Sequence, residues 1–239
     1  MSYITYKLSN RYEVMDSGWT RPYRGEVEAI IKRDSAESRG QVYSEYVAGR
    51  LAALLGLEIV VRGALVTHDR GLMYASLHIA DTSNVGILIK SEEEIKQVTE
   101  RYPIESAELA VFDLWIGNAD RSNNLYANIG KSSERMICAF DHGLALMGIN
   151  ETLESSLSSL YSETHPHYHP FNNLLNKNHC IAAAKRIMAL DDEVIYKACV
   201  LSDNCGSVML PDQAEVAQAM VDRKEFLPDL VERILFQSE

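Results

Sequence analysis

Hydrophobic and polar residues alternate with the period of β-strands in the first third of the chain, interrupted by one stretch of helical period. Residues 12–32 alternate around a turn at 17–22, which predicts two or three antiparallel strands. Residues 41–55 carry apolar side chains at helical spacing, and Gly56 follows as a C-cap, which predicts a helix. Two further strands, 59–67 and 71–80, would complete a sheet of about five strands.

The pattern becomes helical after residue 90. Ser91 precedes three acidic residues and predicts a helix start, which Pro103 would end, and an apolar second helix is expected over 105–117. Two short strands, 125–129 and 136–140, should pair as a hairpin. Amphipathic helices are expected over 181–189, 192–201 and 211–221, the last running into 226–235.

Histidines mark an otherwise uninformative segment between residues 150 and 180. His165, His167 and His169 alternate and would share one face of an extended chain, as transition-metal ligands do. No second cluster of ligands is evident, and the neighbouring prolines favour an irregular surface loop. We therefore prefer a loop over a metal site here.

Composition narrows the class of protein. The chain has 239 residues and a net charge of −11, with acidic residues spread throughout, which argues against direct binding of nucleic acid. Its four cysteines have no C-x-x-C spacing and indicate buried thiols of a reducing compartment. The polar N-terminus and the lack of a long apolar run predict a cytoplasmic protein without a membrane partner.

Candidate chemistry is concentrated in residues 112–143. Asp120 and Asn124 lie in a polar loop, and Asp141 follows the second strand of the predicted hairpin. Pairing of the two strands would bring these groups together, and two carboxylates with an amide suit Mg²⁺. Phosphoryl transfer from a magnesium nucleotide needs such a set. Asp113, within an apolar helix, is interpreted as an anchor for the following loop rather than as a catalytic group.

A lysine and a glutamate upstream fit the same chemistry. Lys32 ends an apolar strand, and Glu45 falls on or near the buried stripe of the next helix, where it needs a cation. Protein kinases pair a strand lysine with a helix glutamate to hold the lysine that grips nucleotide phosphates. Lys32 could equally be a solvated residue at a strand edge, and the presence of Glu45 favours the pairing.

Two loops are candidate nucleotide contacts. In the turn at 17–22, Gly18 allows close backbone approach while Thr20 and Arg21 offer donors to phosphates, although an ordinary turn explains the glycine equally well. The polar connection from Leu77 and His78 to residue 86 suits a hinge whose backbone meets an adenine edge, and an ordinary loop is the alternative.

The order of these motifs resembles the HipA-like kinases and, more distantly, the phosphatidylinositol kinases. The matching segments are G-W-T-R-P, I-I-K, E-Y-V-A-G-R-L-A-A-L-L-G-L, F-D-L-W-I-G-N-A-D-R, D-R-x-x-N-L, F-D-H-G and D-R-K-E-F-L-P-D-L-V. The resemblance covers nearly the whole chain. It implies an α+β, two-lobed protein-kinase-like fold, with an N-terminal lobe over 1–80, a hinge over 81–90 and a helical C-terminal lobe over 91–239.

The resemblance also implies the role of each residue. Lys32 would contact the α- and β-phosphates with Glu45 as its partner, Asp120 would be the catalytic carboxylate, and Asn124 and Asp141 would hold metal. The cofactors would be ATP and Mg²⁺. The partners would be a protein substrate with a Ser or Thr acceptor, including the chain itself, and a cognate inhibitor protein.

The loop after Asp120 departs from the family pattern. Ser122 stands where the family usually has His, and the asparagine lies three or four residues after the aspartate instead of five. Either Asn123 or Asn124 could therefore hold metal, and Asn124 keeps the following strand in register. A nucleotide-binding pseudokinase that acts on a partner is the main alternative function. A kinase for a lipid or small hydroxyl compound is disfavoured because no basic membrane-facing patch stands out.

Overall fold

Two small antiparallel sheets form the N-terminal part of the computed structural model, which describes residues 6–15, 23–36, 38–69, 71–77, 79, 86–118, 120–130, 135–148, 152–162 and 169–236. One sheet pairs β1 (Leu8–Val14) with β2 (Tyr23–Val27). The other has the order β3-β5-β4, from Ala29–Lys32, Gly71–Leu77 and Gly63–His68.

The prediction of one five-stranded sheet is wrong for the described residues. The chain changes partner at Glu28, whose backbone N–H still donates to the Lys7 carbonyl, whereas β3 pairs with β5. Alternation of side chains predicts that a segment is a strand, but it carries no information about which strand lies beside it. The five strands themselves are present.

Helix α1 (Gln41–Leu54) lies against β4 and β5. Its apolar residues Val42, Val47 and Leu51 are fully buried, as the helical spacing predicts. Asp34 stabilises the start of the helix by accepting a hydrogen bond from the Val42 N–H at 2.9 Å. The helix therefore presents Glu45 from its buried face.

Helices α2 (Glu92–Arg101) and α3 (Pro103–Ile116) follow. Ser91 caps α2 as predicted, forming a reciprocal capping box with Glu94. Pro103 does not merely end α2: it is the first residue of α3, where its missing N–H would have had no intrahelical partner. Gly117 ends α3 with φ of 67° and releases the loop that follows.

A third sheet has the order β6-β7-β8, from Ile87–Leu88, Leu125–Ala127 and Ile137–Ala139. The predicted hairpin of β7 and β8 is confirmed. Strand β8 also contacts the segment before β4, because the Ala139 N–H donates to the Ile59 carbonyl at 2.7 Å and the Val61 N–H donates to the Ala139 carbonyl at 2.9 Å. This contact joins the N-terminal sheets to the rest of the molecule.

The remaining elements are helical. They are a short 3-10 helix, Leu146–Gly148, and the helices α4 (Leu153–Tyr161), α5 (Lys177–Met188), α6 (Asp192–Cys199) and α7 (Leu210–Leu235). Helix α4 lies within residues 150–180, for which the sequence predicted no element. Helix α7 is one element of 26 residues that includes Pro228.

Small antiparallel sheets and seven helices in the described residues confirm the predicted α+β class. In this part of the chain, no helix is both long and apolar enough to cross a bilayer. The boundaries of two lobes and a hinge stay a prediction, although Ile87–Leu88, within the expected hinge, form strand β6.

Candidate active site

Lys32 lies at the centre of the site, at the end of β3. Its Nζ contacts Oε1 of Glu45 on α1 and lies 2.7 Å from Oδ1 of Asp141. The predicted pairing of Lys32 with Glu45 is therefore present in the structure. Asp141 is a second partner, so one ammonium group joins the β3-β5-β4 sheet, helix α1 and the turn after β8.

The two carboxylates around Lys32 differ in their electrostatics. Burial raises the pKa of Glu45, which is only 3% exposed, and outweighs the opposing effect of Lys32. Burial also acts to raise the pKa of Asp141, but the hydrogen bond and charge of Lys32 outweigh it and the pKa is lowered. The Asp141 side chain is 39% exposed. Asp141 is therefore an ionised carboxylate that a ligand can reach.

A cavity of about 200 Å³ opens beside Lys32 and Asp141. Apolar and aromatic side chains form most of its wall, and its lining consists of Ile30, Lys32, Val61, Ser76, Leu77, Ile79, Tyr126, Phe140 and Asp141. The rings of Tyr126 and Phe140 lie 5.3 Å apart. An apolar cavity whose lining also includes a lysine and a carboxylate suits a ligand that combines a flat ring with an anionic group.

Asp120 and Asn124 face each other across the loop that follows α3. The Nδ2 group of Asn124 donates to the Asp120 carbonyl at 2.7 Å and to Asp120 Oδ2 at 3.1 Å. These bonds use the amide nitrogen and orient the amide. Asn123 has φ of 68° and is exposed, so it forms the turn that aims Asn124 at Asp120.

Arg121 anchors this loop to helix α3. Its Nε and Nη2 donate to the two carboxylate oxygens of Asp113 at 2.7 and 2.8 Å. Asp113 is fully buried and also bonds to Asn118 and His169. Although burial acts to raise the pKa of Asp113, the charge and hydrogen bonds of Arg121 lower it well below its usual range. The interpretation of Asp113 as an anchor of the loop is thus confirmed.

The loop and the end of β8 meet as the hairpin predicts. Arg121 Nη1 donates to the carbonyls of Asn124 and Phe140 at 2.8 and 3.0 Å, and the Phe140 N–H donates to the Asn124 carbonyl at 3.2 Å. Asp141 is the next residue. Asp120, Asn124 and Asp141 are therefore carried by backbone segments that are bonded to each other.

Two buried histidines, His142 and His169, contribute hydrogen bonds to the site that the sequence did not predict. His142 Nε2 lies 2.9 Å from Arg121 Nη2, and His169 Nε2 lies 3.3 Å from Asp113 Oδ2. The alternating histidines pointed instead to a metal site or a surface loop, and His169 is buried. His165 and His167 lie outside the described residues, so the metal alternative is untested there.

Some predicted contacts fall outside the described residues, namely Gly18, Thr20, Arg21 and His78. Leu77 lines the cavity. Within the described ranges, no group of three or more His, Cys, Asp or Glu side chains could hold a metal ion. Asn124 and Asp141 offer one amide oxygen and one carboxylate, which fit Mg²⁺ because this ion commonly takes one or two carboxylates together with phosphate oxygens and water.

A strand lysine held by a buried helix glutamate, beside a cleft and next to an Asp/Asn loop, defines a protein of the kinase-like class. The chain belongs to the HipA-like kinase family, whose model matches residues 10–198. A search of curated proteins gave no match.

Two solved structures are similar in fold. The proinflammatory kinase CtkA of Helicobacter pylori has a TM-score of 0.63 at 16% identity, with 99% of each chain covered. HipA of Shewanella oneidensis, solved with HipB and operator DNA, has a TM-score of 0.55 at 13% identity, with 98% of this chain and 68% of that chain covered. These likenesses concern the fold, which is the predicted one.

Proposed function

We propose that this chain is an ATP- and Mg²⁺-dependent kinase that transfers the γ-phosphate to a Ser or Thr hydroxyl of a protein. The observation that carries the proposal is the position of Lys32, held between Glu45 and Asp141 at the cavity. An ammonium group placed there can bind the α- and β-phosphates of a nucleotide whose base enters the apolar cavity. Tyr126, Phe140 and Leu77 supply the cavity with flat and aliphatic surface.

Asp120 is the proposed catalytic carboxylate. It orients the acceptor hydroxyl and accepts its proton while the acceptor oxygen bonds to the γ-phosphorus and the bond to the β,γ-bridging oxygen breaks, releasing ADP. Its hydrogen bond with Asn124 and the anchoring of Arg121 on Asp113 hold the loop in place. Enzymes catalyse phosphoryl transfer largely by positioning the reacting groups and by electrostatic stabilisation.

Asn124 and Asp141 are the residues that would hold Mg²⁺. Held by these two residues, the ion would supply positive charge that offsets the negative charge developing during transfer. Asn124 presents its amide oxygen because its nitrogen is bonded to Asp120. The turn with Gly18, Thr20 and Arg21 and the segment with His78 remain proposed nucleotide contacts, and 1–80, 81–90 and 91–239 remain the proposed lobes and hinge.

The proposed partners follow from the family and the charge of the chain. A cytoplasmic protein substrate with a basic patch would suit a net charge of −11, and the kinase would also phosphorylate itself. HipA of Shewanella oneidensis was solved with HipB. By analogy, we propose a cognate inhibitor protein for this chain.

The proposal predicts that Asp120→Asn abolishes phosphate transfer. The purified protein is incubated with Mg²⁺ and ATP labelled at the γ-phosphate, alone and with cell lysate, and label on protein is measured. We expect a fall in rate of about 10²-fold or more, from loss of the group that positions and deprotonates the hydroxyl. Asp229→Asn, an exposed carboxylate on α7, is the matched control and should label at the wild-type rate.

Phosphoamino-acid analysis of the labelled protein would identify the acceptor. Label on Ser or Thr is expected. Wild-type protein that binds ATP but labels nothing would contradict the enzyme and support the pseudokinase alternative. Label that survives in Asp120→Asn would contradict the assignment of Asp120.

A further inference from the structure

Every N–H donor of the Arg121 guanidinium has an acceptor. Two donors bind Asp113 Oδ1 and Oδ2, two bind the carbonyls of Asn124 and Phe140, and the fifth meets His142 Nε2. A guanidinium has five donors and no acceptor, so all of its capacity is used. The acceptors come from α3, the Asp120 loop and the turn that carries Asp141, and the guanidinium therefore joins these three segments.

The bond to Arg121 sets the tautomer of His142. Because Arg121 can only donate, His142 Nε2 must accept, which places the proton of the neutral imidazole on Nδ1. The ring is buried, 2% exposed, and packs edge-on against Phe112 at a centroid distance of 6.1 Å. The backbone N–H of His142 donates to Glu45 Oε1 at 3.2 Å. One residue thus touches the partner of Lys32, the core of α3 and Arg121.

Asp141 itself has a backbone conformation that needs support. Its φ is 56°, in the left-handed region that residues other than glycine seldom adopt. The bonds on either side hold it there: the Phe140 carbonyl accepts from Arg121, and His142 bonds to Arg121 and Glu45. The direction in which the Asp141 carboxylate points is therefore set by its neighbours.

We propose that His142 is a positioning residue that couples the Asp120 loop to the Asp141 turn through the hydrogen bond from Arg121 to its Nε2. The inference rests on the proposed function, since Asp120 and Asp141 are the groups it aligns. His142 touches neither nucleotide nor acceptor in this role. Without the Nε2 acceptor, the Phe140 carbonyl would be the one remaining acceptor for Arg121 in the turn that carries Asp141. Asp141 would then be held less firmly.

The test uses a substitution that removes the acceptor and one that restores it. His142→Phe keeps an aromatic ring against Phe112 but offers Arg121 no acceptor, whereas the side-chain oxygen of His142→Gln can accept at a similar reach. His179→Phe, a histidine on α5, is the matched control. The measurements are kcat and KM for ATP in the transfer assay, and the ratio of ATP affinities in Mg²⁺ and in EDTA.

We expect His142→Phe to lower kcat about tenfold or more and to reduce the gain in ATP affinity from Mg²⁺ by a similar factor, as loss of a residue that orients a ligand group does. Affinity in EDTA should change less than about threefold, because the contact of Lys32 with Glu45 remains. His142→Gln should recover most of both losses. His179→Phe should match the wild type.

The other outcomes also decide the matter. A folded His142→Phe with wild-type kcat and Mg²⁺ ratio would overturn the inference, and equal losses in the Phe and Gln variants would mean that ring packing matters instead of the bond. If His142→Phe does not fold, His142→Leu serves as the acceptor-free variant. If the wild type transfers no phosphate, the proposed function fails, yet the Mg²⁺ ratio still tests His142; a wild type without any Mg²⁺ effect would overturn both.

Discussion

Asp113 and Glu45 are both buried carboxylates, but the effect of burial on the pKa outweighs that of their partners only at Glu45. Asp113 has four hydrogen bonds, from Asn118, His169 and both sides of the Arg121 fork, so its charged form is favoured. Glu45 has the Lys32 ammonium and one backbone N–H, and burial dominates. Asp113 therefore serves stability, whereas Glu45 shares its counter-ion with a site that a ligand enters.

The balance at Asp113 predicts a dependence of stability on pH. Its pKa in the folded state lies below the usual value of 3.8, so it contributes stability that is present above that pH and is lost as the pH falls below it. We expect Asp113→Asn to lower the free energy of unfolding at pH 7 by about 3–5 kcal/mol, because Arg121 stays buried without its counter-charge.

Urea unfolding followed by circular dichroism at pH 7, 5, 4 and 3 would measure this difference. It should shrink between pH 4 and 3, where the wild type loses what the variant already lacks. Asp229→Asn, on an exposed face, should follow the wild-type curve. A difference that stays constant from pH 7 to 3 would contradict the account.

Residues of the site were predictable where the sequence places an ionisable side chain among apolar residues. Glu45 among Val42, Val47 and Leu51 requires a cation, and Asp113 in an apolar helix requires a local anchor. The roles of His142 and His169 were not predictable, because their partners Arg121 and Asp113 lie 21 and 56 residues away in sequence. Only the folded chain brings such pairs together.

At the scale of elements, Arg223 links three helices. From α7 its Nε donates to the Leu114 carbonyl on α3 at 3.0 Å, and Nη1 donates to the carbonyls of Leu160 and Ser162 at the end of α4. Burial lowers its pKa to about 10, so it stays charged at neutral pH. The last carbonyls of α4, which have no partner within their own helix, are thus satisfied.

We predict that Arg223→Met destabilises the protein by about 3 kcal/mol, because three carbonyls lose a charged donor, among them the buried carbonyl of Leu160 at the end of α4. The check is the shift in urea midpoint at an unchanged m-value. Arg233→Met, on the last turns of the same helix, is the control and should shift the midpoint much less. An equal shift in both variants would show that the bonds of Arg223 to α3 and α4 are unimportant.

Long, regular patterns predicted elements well, and short or contextual ones did not. The strong helical spacing of 41–55 gave α1 to within one residue, since its buried stripe extends over the whole helix. Strand β6 has two residues and no pattern to detect. Sheet partners were also missed, because the turn from β2 into β3 at Glu28 changes the neighbour without changing the alternation.

At the scale of the whole molecule, the cavity is built from separate parts of the chain. Ile30 and Lys32 come from strand β3, and Tyr126, Phe140 and Asp141 come from the third sheet and the turn that follows it. The backbone bonds between Ala139, Ile59 and Val61 join the two sides. A ligand in the cavity therefore stabilises both sides at once, and its binding should raise the temperature at which the whole chain unfolds.

We predict that ATP with Mg²⁺ at about 100 times its Kd stabilises the wild type by about 2.7 kcal/mol, a rise in Tm of about 5–11 °C for a chain of this size. Asp141→Asn should lose the part of this rise that depends on Mg²⁺, because an amide binds this hard cation more weakly than a carboxylate does. Differential scanning fluorimetry with ATP in Mg²⁺ and in EDTA measures both, and Glu58→Gln, an exposed carboxylate, is the control. A full Mg²⁺-dependent rise in Asp141→Asn would mean that the metal is held by other residues. Two separate unfolding transitions in the wild type would mean that the two sides of the cavity unfold independently despite the backbone bonds at Ala139.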